Sequence, residues 1–138
     1  MINRRSFIRA LSACGLAMAT LPIAPRSESF AASALASLDK DHDGTLDLAE
    51  VKDAAASVFD KLDKDSDAAL DRKEIGGRAA EAQFKQADLD HDGTLTKDEY
   101  LGLAEKLFSA ADADKDGTLD PNELKSKAGR VLLRLIQP

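Results

Sequence analysis

The sequence predicts an all-α chain, a compact helical bundle in which four acidic 12-residue loops are joined by single shared helices. Three observations carry that expectation. A 12-residue pattern recurs four times with its acids in fixed places. The stretches between its copies, 51–62, 75–87 and 100–111, are 12, 13 and 12 residues long, which is room for one helix each. Within them apolar residues recur at helical spacing. The 138 residues make one domain's worth of chain, and the 4% aromatic content with no Trp limits the core to Leu, Ala and a few Phe.

Asn3-Arg4-Arg5-Ser6-Phe7-Ile8-Arg9 sets an arginine pair just before two bulky apolar residues, and a moderately apolar Gly/Ala-containing stretch runs from Ala10 to Ile23. This resembles a twin-arginine export signal. The stretch is shorter than the roughly 20 residues a bilayer requires, and Pro22 and Pro25 end it, so no stable membrane anchor is expected. Leu11-Ser12-Ala13-Cys14 has the look of a lipoprotein box, but the apolar run before it is too short, so Cys14 is a bystander. Small residues at Ser29 and Ala31 place the cut after Ala31, giving a signal over 1–31, a single metal-binding domain over 32–138, and a periplasmic destination. The lone Cys forms no internal disulfide and leaves with the signal.

Charge sharpens on processing. The whole chain carries 19 Lys+Arg against 25 Asp+Glu, a net charge of −6. Removing Arg4, Arg5, Arg9, Arg26 and Glu28 leaves 15 bases against 24 acids, a net of −9. Nucleic acid would be repelled unless the few bases were gathered on one face, so the expected partner is a cation and not a nucleic acid.

The repeat locates that charge. Asp39-Lys-Asp41-His-Asp43-Gly44-Thr45-Leu46-Asp47-Leu-Ala-Glu50 aligns with Asp63 to Glu74, Asp88 to Glu99 and Asp112 to Glu123. Each copy has Asp at positions 1, 3 and 5, Leu at 8 and Glu at 12, which is the EF-hand loop pattern. A cation of calcium's size takes six to eight hard oxygens at about 2.3–2.6 Å, and a 12-residue loop can wrap them around it. In loop 1 the expected ligands are Asp39, Asp41, Asp43, the Thr45 carbonyl, Asp47 directly or through water, and both oxygens of Glu50. Loop 2 offers Asp63, Asp65, Asp67, the Ala69 carbonyl, Asp71 and Glu74. Loop 3 offers Asp88, Asp90, Asp92, the Thr94 carbonyl, Thr96 and Glu99, and loop 4 offers Asp112, Asp114, Asp116, the Thr118 carbonyl, Asp120 and Glu123. A merely solvated set of acidic turns would have no reason to repeat the same five positions four times.

The copies differ. Gly44, Gly93 and Gly117 at position 6 suit a left-handed turn, whereas Ala68 at that position costs roughly 1–2 kcal/mol, about a decade of affinity. Thr96 replaces the Asp found at position 9 elsewhere. Loops 1 and 4 are therefore expected to be strongest and loop 2 weakest. Leu46, Leu70, Leu95 and Leu119 at position 8 should point to a paired loop and the core. Leu35, Phe59, Phe84 and Phe108, each four residues before a loop, and Leu48, Val51, Val58 and Leu62 read as core. After loop 4, Pro121 opens a helix whose stripe is Leu124, Ala128, Val131, Leu132, Leu135 and Ile136. Gly76 and Gly77 weaken the helix after loop 2. A 12-residue helix is about 18 Å long, so successive loops fall at opposite ends of it. With antiparallel central helices, loops 1 and 3 would share one end and loops 2 and 4 the other.

Phe59-Asp60-Lys61-Leu62-Asp63, Asp43-Gly44-Thr45-Leu46-Asp47 and Lys97-Asp98-Glu99-Tyr100-Leu101, with the short spacing between loops and the export signal, resemble the lanmodulin family of periplasmic lanthanide-binding proteins. The resemblance covers nearly the whole mature chain and implies up to four calcium or lanthanide(III) sites. The family has Pro at loop position 2, where this chain has Lys40, Lys64, Leu89 and Ala113.

Function classes follow from the same residues. The loops hold 20 acids and six bases, a net of −14, so the rest of the mature chain is +5. Four divalent ions would bring the mature chain to −1 and three trivalent ions to zero, and the five carboxylates of loops 1 and 4 suit a hard trivalent ion somewhat better. Clustered empty carboxylates repel, so a loose metal-free form should compact on binding. The expected function is a monomeric exported metal-ion buffer, carrier or sensor; the alternative is a calcium sensor that exposes a surface to a protein partner. The mature chain would contain no Met, which counts against a promiscuous groove. No enzyme is expected, because His42 and His91 occupy solvent-facing loop position 4 and no Cys nucleophile survives processing. Lys125, Lys127, Arg130 and Arg134 on the last helix read as a solvated face.

Overall fold

A computed structural model describes residues 26–137, and the arginine pair and apolar stretch of the export signal lie outside them. Among the described residues seven helices carry the fold: α1 (Arg26–Leu38), α2 (Leu48–Leu62), α3 (Arg72–Ile75), α4 (Glu81–Ala87), α5 (Lys97–Ala111), α6 (Pro121–Lys125) and α7 (Lys127–Ile136). Four two-residue strands, β1 (Leu46–Asp47), β2 (Ala69–Leu70), β3 (Leu95–Thr96) and β4 (Thr118–Leu119), lie in the loops. The all-α bundle with four loops is therefore present. α1 continues through Ala31, whose side chain is buried in the core.

Each helix that enters a loop stops the same way. The N–H of the first loop residue donates to a carbonyl four residues back: Asp39 to Leu35, Asp63 to Phe59, Asp88 to Phe84 and Asp112 to Phe108, at 2.8–2.9 Å. The same four apolar side chains are buried, so one residue ends the backbone ladder and anchors the loop to the core. Leu46, Leu70, Leu95 and Leu119 are fully buried, as their place at position 8 predicts.

The pairing of loops corrects the sequence expectation. Loop 1 pairs with loop 4 through antiparallel β1 and β4, with Leu46 opposite Leu119; loop 2 pairs with loop 3 through β2 and β3, with Leu70 opposite Leu95. Loops 1 and 3 do not share an end. The reason lies in the middle connection. α2 and α5 are single 15-residue helices that carry the chain from one end of the molecule to the other, about 22 Å each. Between loops 2 and 3, by contrast, the helix is split. α3 lasts four residues and stops at Gly76, whose φ of 57° and ψ of −136° form a combination open to glycine, and α4 begins only at Glu81. The chain folds back there, so two successive loops lie side by side.

The C-terminal helix is also divided. Ser126 ends α6 and caps α7, accepting from the Gly129 N–H at 3.0 Å. α7 packs on α5 and α2 and buries Leu132, Leu133, Leu135 and Ile136 completely, each contributing about 2 kcal/mol of apolar burial. The bend moves Val131 and Ala128 of the expected stripe to half-buried places and brings Leu133 into the core. No helix among the described residues is long and apolar enough to cross a membrane.

Candidate metal centre

The loops build four acidic centres. Asp63, Asp65 and Glu74 bring ligand atoms within 4.8 Å of one another, as do Asp88, Asp90 and Glu99, and Asp112, Asp114 and Glu123. Loop 1 differs: its group is Asp39, Asp41 and Asp43. Positions 1, 3 and 12 thus converge in three loops, and positions 1, 3 and 5 in the first.

Backbone conformation holds these groups. Gly44, Gly93 and Gly117 have φ of 87–89°, and Ala68 takes the same place at φ 66°, with the strain a β-carbon brings to the left-handed region. Position 4 is left-handed too, in His42, Ser66, His91 and Lys115 at φ 60–63°. With the chain turned this way, the position-6 N–H donates to the position-1 carboxylate in every loop, at 3.0 Å for Gly44 to Asp39, 3.1 Å for Ala68 to Asp63 and for Gly93 to Asp88, and 3.2 Å for Gly117 to Asp112.

Glu at position 12 is held from two sides. Its Oε1 accepts from the position-2 N–H: Lys40 at 2.5 Å, Lys64 at 3.1 Å, Leu89 at 2.8 Å and Ala113 at 2.8 Å. Its Oε2 accepts from the position-9 N–H, while the side chain at position 9 accepts from the Glu N–H. This is a capping box at the start of each exiting helix.

The other expected ligands lie beyond these acidic groups and make hydrogen bonds within their own loops. Asp47, Asp71, Thr96 and Asp120 cap helices and lie outside the acidic groups. Asp67, Asp92 and Asp116 also lie outside; each accepts from the position-7 N–H at 2.8–2.9 Å through Oδ1. Position 7 opens the short strand in loops 2 and 4, at Ala69 and Thr118, and directly precedes it in loops 1 and 3, at Thr45 and Thr94; the three threonine hydroxyls donate back to position 5. The signal for the caps was in the sequence as Asp/Thr-x-x-Glu at the head of each helix. His42 and His91 are exposed, and neither joins an acidic group.

The electrostatics are those of crowded carboxylates. Desolvation and the nearby Asp67 and Glu74 carboxylates raise Asp65 above its ordinary range. At Asp41 and Asp114 a neighbouring amide lowers the carboxyl, but desolvation and adjacent acids outweigh it and the net shift is upward. Desolvation raises Asp39 and Glu99, yet backbone donors win and both end low. Thr94 lowers Asp92, and the Glu123 amide lowers Asp120.

A cation fits these groups on one specific ground. The Oδ1 atoms of Asp63, Asp88 and Asp112 are buried and have no hydrogen-bond partner, while each sits beside two further carboxylates. A buried carboxylate oxygen without a donor is costly unless a positive charge faces it. In loop 1 the corresponding Asp39 Oδ1 accepts from the His42 N–H at 2.6 Å.

The EF-hand family model matches residues 31–53, 80–104 and 103–126, just over half of the chain, and these segments contain loops 1, 3 and 4. The chain belongs to the EF-hand family. Loop 2, the EF-hand loop with Ala68 in place of glycine, falls between the matched segments. Among curated proteins no relative matches the chain. As an EF-hand protein with four acidic loops, it is suited to hold calcium or a similar ion.

Proposed function

We propose that the protein is an exported, monomeric binder of hard multivalent cations, calcium or lanthanide, that compacts as its loops fill and acts as a buffer, carrier or sensor in the periplasm. One observation supports it above the rest: three position-1 aspartates each keep a buried, donorless oxygen beside two more carboxylates. The full ligand sets expected of each loop, from Asp39 to Glu50 and their counterparts, would complete around the ion. The aspartates at positions 5 and 9 keep their second oxygens clear of the bonds that cap and turn the loop, except at Asp120, where Asn122 Nδ2 also approaches at 3.3 Å, while Thr96 has a single hydroxyl, which bonds Glu99. The resemblance to lanmodulin favours a lanthanide, and the arginine pair with its apolar stretch favours export by the twin-arginine route with cleavage after Ala31.

The decisive experiment is a competitive titration of the protein with lanthanum and calcium, followed by far-UV circular dichroism. An affinity for lanthanum many orders of magnitude above that for calcium establishes the lanthanide reading, and a gap of one or two decades makes this a calcium protein. A spectrum unchanged at saturation overturns compaction. N-terminal sequencing of the exported chain tests the cleavage site.

A further inference from the structure

Three arginines and a lysine of this acidic chain gather at a place the metal loops do not use. A cleft of about 310 Å³ is lined by Phe30 from α1, Arg78 from the turn after α3, and Arg130, Arg134 and Gln137 at the C-terminal end. A second cavity of about 200 Å³ adjoins it through Phe30 and Arg130 and adds Lys125. No acidic side chain among the described residues lines either cavity. Arg130 and Arg134 are successive turns of one exposed helix face, where like charges at this spacing repel. Among the described residues neither guanidinium has an acidic or hydrogen-bonded partner. Arg78, far away in sequence, is drawn to the same cleft because its Nη1 donates to the Arg134 and Gln137 carbonyls, closing the last turn of α7. Nη1 is the one nitrogen so used, which leaves the Nε and Nη2 donors of its fork without a partner among the described residues.

We propose that this cleft binds a phosphate ester. A single carboxylate is satisfied by one bidentate guanidinium, whereas a tetrahedral dianion offers enough oxygens for two or three forks, which is what Arg78, Arg130 and Arg134 supply. The volume exceeds that of a bare phosphate, and the organic portion lies toward Phe30 and the apolar floor at Leu124. The arginines are the binding groups. Phe30 only walls the α1 side, so processing after Ala31 opens that side and removes no guanidinium. The site is separate from the metal centres and does not rest on the metal reading.

The ester can be a free soluble molecule or a lipid headgroup, and two probes separate these sources: glycerol 3-phosphate by calorimetry, and phosphatidylglycerol against phosphatidylcholine vesicles by sedimentation. Both use the calcium-saturated full chain. Arg130→Ala/Arg134→Ala should weaken whichever probe binds at least tenfold. Lys52→Ala/Lys106→Ala, which removes the same charge from the α2 and α5 surfaces, should change it less than twofold. Circular dichroism of both variants reports that the fold is intact. Binding of neither probe, or equal loss in the two variants, overturns the proposal. Loss of metal binding with ester binding retained would instead count against the metal reading alone.

Discussion

Tyr100 donates its hydroxyl to the carbonyl of Leu135 at 2.8 Å, inside the core. Tyr100 follows Glu99, the last residue of loop 3, and Leu135 lies in the last turn of the chain's last helix. Its ring meets Phe59 edge-on with centroids 5.8 Å apart, so α2, α5 and α7 join at one side chain. The acid that closes loop 3 is thereby one peptide from the bond that seats the C-terminal helix.

Removing that bond should be costly. Tyr100→Phe keeps the ring packing and leaves the Leu135 carbonyl buried without a donor, at about 1–3 kcal/mol. Urea unfolding of the metal-saturated protein should show a midpoint shifted by that amount, and an unchanged midpoint would mean water replaces the hydroxyl.

The same residue sets an alkaline limit. Burial pushes the Tyr100 hydroxyl up to about 12, against about 10 in an unfolded chain. Its folded value is raised, so the stability it contributes is intact below about pH 10 and is lost as pH rises through about 12. Because this is the chain's one Tyr, phenolate absorbance should stay low at pH 10–11 and rise together with loss of helical circular dichroism. Ionisation near pH 10 with the helices intact would contradict the burial.

Loop 2 should be improvable. Ala68 holds φ 66° where glycine takes 87–89° in the other loops, and relieving that strain is worth roughly 1–2 kcal/mol. Ala68→Gly should raise the affinity of loop 2 by about tenfold, and Gly93→Ala should lower loop 3 by a similar factor. Site-resolved NMR titration distinguishes the two loops.

At Gly129 the backbone of α6 leaves α7 no room for a side chain. A β-carbon there would overlap the Glu123 carbonyl and lie 2.6 Å from Leu124 Cα, both backbone atoms. Gly129→Ala should force α7 away from α6 and cost about 1–3 kcal/mol. Since Glu123 is the position-12 acid of loop 4, its metal affinity should fall as well, with loops 2 and 3 little changed. Equal loss in all four loops would point to global unfolding instead.

Pairing predicts which sites communicate. Leu119→Ala removes the fully buried partner of Leu46, at about 2–5 kcal/mol. Amide shifts should spread from loop 4 into loop 1 before they reach loop 2, whereas the arrangement expected from helix length alone would have carried them from loop 4 into loop 2 first.

Much of the molecule was legible along the chain because its determinants are local. Position 6 needs a left-handed residue, position 8 needs an apolar one, and acids two residues apart converge when a short loop turns around one point. Those are constraints within 12 residues, and four copies repeated them. The residues four places before each loop read as core for the same reason, since helical periodicity is local too. The dual use of Asp47, Asp71, Thr96 and Asp120 was also written there, but as a helix-capping signal overlaid on a ligand pattern, so one reading hid the other.

What the sequence by itself determined, then, was four acidic loops on short helices. Which loops pair was decided by the tertiary structure. A 13-residue connection has the length of one helix, and only the backbone at Gly76, with φ 57° and ψ −136°, turns it into a fold-back that sets loop 2 beside loop 3. The burial of Leu133 and the meeting of Arg78 with Arg130 and Arg134 are of the same kind. They depend on where α7 comes to rest against α2 and α5, a contact between segments far apart in sequence that no local spacing encodes.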